Sequence, residues 1–569
     1  MRKLIALPMA TALAIAALSL TVGPTSTADA ATGTCTATLT MTNSWPGNYQ
    51  AEVTVTAGAT PITQWTVAIP LGSSTVSGAW NSTLAAGATG NATASNLAYN
   101  GSLAAGGSTG FGFQGTGTVP ASVTCSAGGT GTDPTPDPTA DPTPDPTPDP
   151  TPDPTTGAPT DDDWLHVSGS TIVDSEGNAV WLTGANWFGF NATERVFHGL
   201  WSVNMDSTMQ GIAEHGINVL RVPISTELLK EWKNGQAAVP SGVNTYANPE
   251  LTGLTTLEVF DAFLAQSKKY GVKVILDVHS AEADNSGHIA PMWYKGSMTT
   301  QDFYDTWVWV ADRYKNDDTI IGFDLENEPH GAFDATPRAK WDGTTDADNW
   351  KYVAQTAANK ILAANPNVLI LVEGIETYPK EGKSWTSTNK DDYYSNWWGG
   401  NLRGVADFPI DLGANQDQLV YSPHDYGPLV FEQEWFSGTF TQGSLTTDVW
   451  TPNWLYIHDS DTAPLLIGEW GGRVGQDDRQ DAWMTYLRNV IVEKKLHYTF
   501  WCINPNSGDT GGLLLDDWAT WDAQKLALLD AALWQDSNGK FVSIDHVVKL
   551  PGGTNVTEYY ANRNAAPIG

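Results

Sequence analysis

From Trp164 to Gly569 the chain carries eight short apolar runs, each followed by a helical or irregular stretch, and this repeat restricts the fold more than any other feature. The runs are Val180 to Trp187, Asn218 to Ile224, Lys273 to Ser280, Ile320 to Pro329, Asn367 to Gly374, Gln418 to Tyr426, Leu465 to Gly471 and Tyr498 to Asn504. Near-continuous apolar runs of strand length read as parallel strands covered on both faces. Eight such units predict a (β/α)₈ barrel. A doubly wound open sheet is the structural alternative, but no Gly-rich phosphate-binding turn follows the first run. The segment exceeds a minimal barrel, so insertions should enlarge the loops at the C-terminal strand ends.

Those strand ends carry unusual residues. Arg221, His279, Asn327 with Glu328, Glu373, His424 with Tyr426, Glu469 and Trp501 are all expected to converge at the barrel mouth. A core needs apolar residues there, and buried charge is costly unless paired, so packing alone explains the set poorly. Glu328 and Glu469 each follow an apolar run, and paired carboxylates are the apparatus for cleaving a glycosidic bond. Each taken singly is also compatible with an ordinary strand-end acid.

Composition narrows the partners. With 63 Asp plus Glu against 29 Lys plus Arg the formal net charge is -34, which repels nucleic acid and anionic membrane surfaces. The 25 tryptophans supply flat, amphipathic rings suited to a core or to stacking on sugars. Arg2 and Lys3 precede an apolar stretch from Leu4 to Leu20, and Ala28-Asp29-Ala30 offers a small-residue cleavage pattern. Residues 1–30 therefore read as a secretory signal peptide rather than a membrane anchor, and the expected product is secreted and extracellular. Of the three cysteines, Cys35 and Cys125 bracket one block and would close it with a disulfide, while Cys502 lies in an apolar run and reads as a buried small hydrophobe. No cysteine or histidine spacing suggests a metal site, no cofactor is implied, and a monomer is expected.

Two further segments precede the barrel. Residues 31–126 alternate short runs such as Ala51 to Ala57 and Gln64 to Pro70 with Gly and Asn turns, the pattern of an all-β sandwich. Up to Cys125 its only charged side chain is Glu52, a surface suited to an uncharged solid. Trp45, Trp80 and Tyr99 lie in turn-like settings beside Asn, Gly or Ser, whereas Trp65 lies inside a strand-like run. Residues 127–163 repeat Asp-Pro-Thr-Pro, whose prolines and mutually repelling charges make an extended linker; about 30 residues would span on the order of 90 Å.

The ordered segments LRVPIS, DVHS, DLENEPHG, SPHDYG, IGEWGG and TFWCINP resemble glycoside hydrolase family 5 over Trp164 to about Asp536. ANWFGF at Ala185 to Phe190 and NPNSGDTGG at Asn504 to Gly512 are similar to segments of its bacterial endo-β-1,4-glucanases. The resemblance implies that Glu328 is the general acid/base and Glu469 the nucleophile of a retaining hydrolase. It also implies that Arg221 lies beside Glu469 and that Asn327 donates to the sugar 2-hydroxyl. Tyr426 should contact Glu469, His279 and His424 should bind substrate or orient the acids, and Trp501 should form a stacking floor. Trp187 and Trp398 are further substrate-binding candidates. A dry setting and nearby negative charge should hold Glu328 protonated near neutral pH. Glu326 departs from the family pattern and is expected to aim a third acid into the barrel, raising the pKa of Glu328.

The N-terminal block resembles a family 2 carbohydrate-binding module through its terminal cysteines, Trp65, and the segments AYNGSLAAGG and GFGFQG. That resemblance implies a flat cellulose-binding face made by Trp45, Trp80 and Tyr99; a chitin- or xylan-binding role remains an alternative. Together the two resemblances imply a secreted endo-β-1,4-glucanase that adheres to cellulose and cleaves internal bonds of cellulose and related β-glucans. The alternatives are the same machinery acting on mannan, xyloglucan or mixed-linkage glucan, and a non-catalytic polysaccharide-binding or scaffold protein.

Overall fold

The computed structural model describes residues 34–128, apart from positions 46, 81, 86, 97–99, 102 and 104, and residues 163–565. The signal-peptide stretch, most of the linker and Tyr99 lie outside the described residues. Trp45 and Trp80 are described in backbone only, so the side chains of the expected binding face lie outside the described residues. The chain divides into two compact units, 1–151 and 152–569.

The first unit is a sandwich of two antiparallel sheets. One contains β1 (Cys35–Trp45), β2 (Asn48–Ala57), β4 (Thr75–Trp80) and β6 (Ser108–Thr116) in the order β1-β2-β6-β4; the other contains β3 (Gln64–Gly72), β5 (Gly90–Ser95) and β7 (Thr124–Gly128) in the order β5-β3-β7. Alternation drives it: Val53 and Val55 on β2, and Trp65, Val67 and Ile69 on β3, point into one core while Glu52 and Thr54 face out. Trp65 is buried, stacks on Phe111 with ring centroids 5.4 Å apart, and donates its indole N–H to the Asn100 carbonyl at 2.8 Å. Cys35 and Cys125 form a disulfide that joins the two sheets, with Cα atoms 5.7 Å apart.

The second unit is a closed barrel of eight parallel strands: β8 (Thr183–Asn186), β9 (Val219–Ser225), β10 (Lys273–Ser280), β11 (Ile320–Asp324), β12 (Leu369–Val372), β13 (Leu419–Tyr421), β14 (Leu466–Trp470) and β15 (His497–Phe500). Each expected apolar run supplies one strand. Neighbours in sequence pair in parallel, β15 pairs with β8 and β14, and bridges from Tyr421 to Leu465 and His424 to Glu469 close the ring. Every residue of β9 and β10 is buried, because the barrel interior covers one face and helices the other. Helix Thr256–Tyr270, between β9 and β10, starts on a Thr255–Glu258 capping box and stops at Gly271, whose φ of 69° suits glycine.

Two expected boundaries move. Asp163, assigned to the linker, is buried at the barrel's N-terminal side, where its carboxylate pairs with Lys273 at 2.5 Å and His546 at 2.7 Å. Strand β7 also runs two residues past the expected end of the sandwich. Cys502 is buried and free. Among the described residues no helix is long and apolar enough to cross a membrane.

Candidate active site

The site is built around one fully buried cation. Arg221 lies mid-strand on β9, paired with Asn186 and Ile275, and its side chain enters the barrel below the mouth. Its Nε donates to Asp324 at 2.8 Å, Nη1 to Glu469 at 3.0 Å and Asn186 at 3.1 Å, and Nη2 to Asn327 and Glu373, both at 3.1 Å. Asp277 also lies 3.1 Å from Nη2. A planar guanidinium distributes such a set of bonds where an ammonium could not. Arg221 was expected to bind substrate. Being wholly buried among these groups, it instead organises the floor on which the reactive carboxylates stand.

Above it, Glu469 on β14 receives Arg221 on one oxygen and the Tyr426 hydroxyl on the other, at 2.7 Å. Glu328 comes from the segment just past β11, and its Oε1 lies 2.9 Å from Nδ1 of His424. Glu328, His424 and Glu469 bring their oxygen and nitrogen atoms within 4.8 Å of one another. Such a trio could hold a cation, but Arg221 and Tyr426 already occupy both Glu469 oxygens and His424 occupies Oε1 of Glu328.

His424 is buried between three carboxyl groups. Burial alone would lower its pKa, but Glu373 and Glu469, with the bond to Glu328, raise it well above the usual imidazole range. Burial would raise Glu328, yet the bond and charge from His424, with smaller contributions from His330 and His279, bring it below the ordinary carboxylate value. This corrects the expected protonated Glu328: without substrate it is the anion of an ion pair. The Glu326 side chain is buried and held neutral, chiefly by burial and then by the charges of Asp277, Glu373 and Asp324, so it does not set the pKa of Glu328.

A cavity of about 970 Å³ opens over this pair, large enough for several sugar units. Glu328, Glu469, Asn327, Tyr426, His279, Trp398 and Trp501 line it. Asn327 gives its Oδ1 to Arg221, which leaves its NH₂ group free to donate. His279 points Nδ1 at Asp277 at 2.7 Å, and burial pulls its pKa down to about 3, leaving a neutral imidazole. Trp501 stacks on Phe188 and on His279, with interplanar angles of 10° and 4° and ring centroids 5.5 and 5.4 Å apart, so parallel aromatic rings line this side of the cavity. Trp398 stacks on His330 at 3.7 Å.

Two other candidates move out of the substrate-binding set. Trp187 is core: its residue is 1% exposed, it stacks on Phe197 at 4.0 Å, and its N–H serves the His198 carbonyl. It follows Asn186, whose side chain points inward, so strand alternation sends Trp187 toward the helices. His424 is likewise buried beneath the cavity, beside Glu373, and takes the second of its expected roles, orienting the acids. Conversely, the cavity wall includes Phe188, His198, His288, Phe431 and Asn506, which sequence reasoning did not single out. Phe188 lay inside the ANWFGF segment and Asn506 inside NPNSGDTGG; the others sit in irregular insertions without a periodic signal.

A parallel barrel with a carboxylate pair at its C-terminal mouth defines a glycoside hydrolase. The chain belongs to glycosyl hydrolase family 5: the model described as Cellulase (glycosyl hydrolase family 5) matches residues 173–507, and a Cellulose binding domain model matches residues 35–132. Endoglucanase G of Acetivibrio thermocellus is 50% identical over 439 residues, which cover 71% of this chain and 77% of that protein. Endoglucanase B of the same organism is 48% identical over 434 residues, 70% of this chain and 76% of the relative. Among solved structures, the catalytic domain of the major endoglucanase from Xanthomonas campestris pv. campestris is similar, with a TM-score of 0.57, 34% identity, and coverage of 65% of this chain and 99% of that one. A cellotetraose complex of an endocellulase from Pyrococcus horikoshii has a TM-score of 0.59 and 33% identity, covering 65% of this chain and 98% of its own.

Proposed function

We propose that this protein is an exported endo-β-1,4-glucanase that hydrolyses cellulose with retention of configuration, using Glu469 as nucleophile and Glu328 as acid/base. Family membership gives the glycosidase class, and the relatives named endoglucanase, with the cellotetraose complex, support β-1,4-glucan as substrate. One observation carries the mechanism. The Glu328 and Glu469 oxygens lie within 4.8 Å, nearer the roughly 5 to 5.5 Å of retaining enzymes than the roughly 6.5 to 9.5 Å that admits a water between carboxyls. The N-terminal module, with Trp45, Trp80 and Tyr99 as its platform, would keep the enzyme on insoluble substrate. The apolar N-terminal segment supports export.

The acid's proton is near at hand. In the free enzyme it resides on His424, hydrogen-bonded to Glu328. Sugar filling the cavity displaces water, and a drier site favours the neutral pair, imidazole and carboxylic acid, over the ion pair. Protonated Glu328 then donates to the leaving oxygen while Glu469 attacks the anomeric carbon. Trp501, Phe188 and His279 support the ring, and Asn327 donates to its 2-hydroxyl. In the second half-reaction Glu328, now a carboxylate, takes a proton from water as the water oxygen bonds to the anomeric carbon and displaces Glu469.

The test uses two variants. Glu469→Gln should bind cellotetraose without cleaving it. Glu328→Ala should still release an activated phenol from an aryl cellobioside, with azide restoring turnover as a β-glycosyl azide. A β-azide from the Glu469 variant and an α-azide from the Glu328 variant would reverse the roles.

A further inference from the structure

We propose that Glu373, buried beneath the cavity, is a positioning residue that holds Glu328 by its backbone and its carboxyl at once; the proposal rests on Glu328 being the acid/base. Glu328 has a φ of 54°, a left-handed conformation that a residue with a Cβ keeps only where its surroundings hold it. Its N–H donates to Oε2 of Glu373 at 2.7 Å. The other oxygen, Oε1, lies 3.1 Å from Nε2 of His424, whose Nδ1 is the partner of the Glu328 carboxyl. One carboxylate therefore meets the main chain of Glu328 directly and its side chain through a single imidazole.

Glu373 is itself fixed from several sides. Arg221 donates to Oε1, and the Trp350 indole donates to the Glu373 carbonyl at 2.9 Å. Gly399 closes over the other oxygen: a Cβ there would meet Oε2 at 2.2 Å and the Glu328 Cα at 3.5 Å. The loop backbone thus leaves room for the carboxylate in this place and nothing larger. Sequence position explains the function. Glu373 follows directly on the last residue of β12, one layer below the mouth, so it reaches the loop that carries Glu328 without entering the cavity.

Glu373→Gln separates this role from general damage. An amide has one acceptor oxygen where the carboxylate has two. It can serve the Glu328 N–H or the Arg221 and His424 side, and its NH₂ then faces donors on the other. The acid should be misplaced while Glu469, held by Arg221 and Tyr426, stays in position. A misplacement near 1 Å costs on the order of 100-fold in a step that needs the group. We expect kcat/KM on cellotetraose to fall about 100-fold. The first-turnover release of 2,4-dinitrophenolate from its β-cellobioside, which needs nucleophile but little acid, should fall less than about 5-fold.

Gly399→Ala keeps both carboxyls and the net charge; its Cβ drives Oε2 aside and its φ of 69° adds backbone strain, so it should reproduce the same split and carries the test if Glu373→Gln does not fold. Glu328→Ala, measured alongside, should show a wider gap between the substrates. Equal losses on both substrates, or no loss on either, would show that Glu373 does not act through the acid. A Glu328→Ala variant without the gap would overturn the acid assignment itself, and this proposal with it. A gap in Glu328→Ala alone would overturn only the role of Glu373.

Discussion

Replacing Arg221 by lysine tests whether one guanidinium neutralises the buried carboxyl floor. Arg221 makes five hydrogen bonds, three of them to carboxylates. A lysine ammonium offers three donors from one point, so at least two of the five bonds are lost even with ideal placement. Hydrogen bonds to charged groups are each worth about 1.5–3 kcal/mol, giving roughly 3–6 kcal/mol. The cost of breaking a buried ion pair, about 3–5 kcal/mol, falls in the same range. We expect the barrel unit to lose about 4 kcal/mol of unfolding free energy. Urea titration followed by tryptophan fluorescence reads this unit, because only Trp45, Trp65 and Trp80 of the 25 tryptophans precede it. A loss below about 1 kcal/mol would refute the reasoning: the lost guanidinium bonds would then be replaceable by a point charge or by water.

Three further outcomes follow from the same structure. Proton NMR of early products should show the β-anomer before mutarotation; an initial α-anomer would defeat the double displacement. Barrel stability should fall as pH rises from about 5 to about 7, because burial above all lifts Asp324 to about 6 and Asp277 to about 7, so the folded state keeps protons the unfolded chain releases. Each such proton contributes about 1.4 kcal/mol per pH unit, and a melting temperature that is flat or rises over that range would exclude the buried-acid account. Trp65→Ala should unfold the N-terminal module, at a cost of about 3–5 kcal/mol, and abolish adsorption to cellulose; retained adsorption would mean that its core does not depend on this ring.

The eight strands were legible because a parallel barrel buries both faces of each strand, and no loop or helix in this chain imitates eight apolar runs of that length. The chemistry was legible too, as a set of strand-end residues. What stayed hidden was depth. Arg221 lies four residues before the end of β9 and Glu373 one residue beyond β12, yet both point into the layer below the cavity, whereas Glu328, four residues past β11, reaches the mouth. Strand ends differ by several residues in height around a tilted, staggered barrel, and sequence does not print that stagger. Trp187 could have been placed correctly, since Asn186 and Trp187 are consecutive and one of them must face outward. The cavity wall supplied by His198, His288 and Phe431 depends on insertions whose path follows no period.

The charge state of the catalytic pair follows from the whole cluster rather than from either glutamate. Asp277, Asp324, Glu326, Glu373, Glu328 and Glu469 are six acids around two bases, Arg221 and His424. Unbalanced charge at this depth is costly, so two cations support about two carboxylates and the rest are driven toward their neutral forms. The upward shifts fall on Asp277, Asp324, Glu326 and Glu373, all beneath the cavity, while Glu328 is held below its ordinary value. Glu328, which faces substrate, is thereby set apart from the acids beneath it. Passing the His424 proton to Glu328 when sugar arrives removes one cation and one anion together. That leaves Arg221 opposite Glu469, the carboxylate that must attack, and the acid is armed without moving net charge into or out of the barrel.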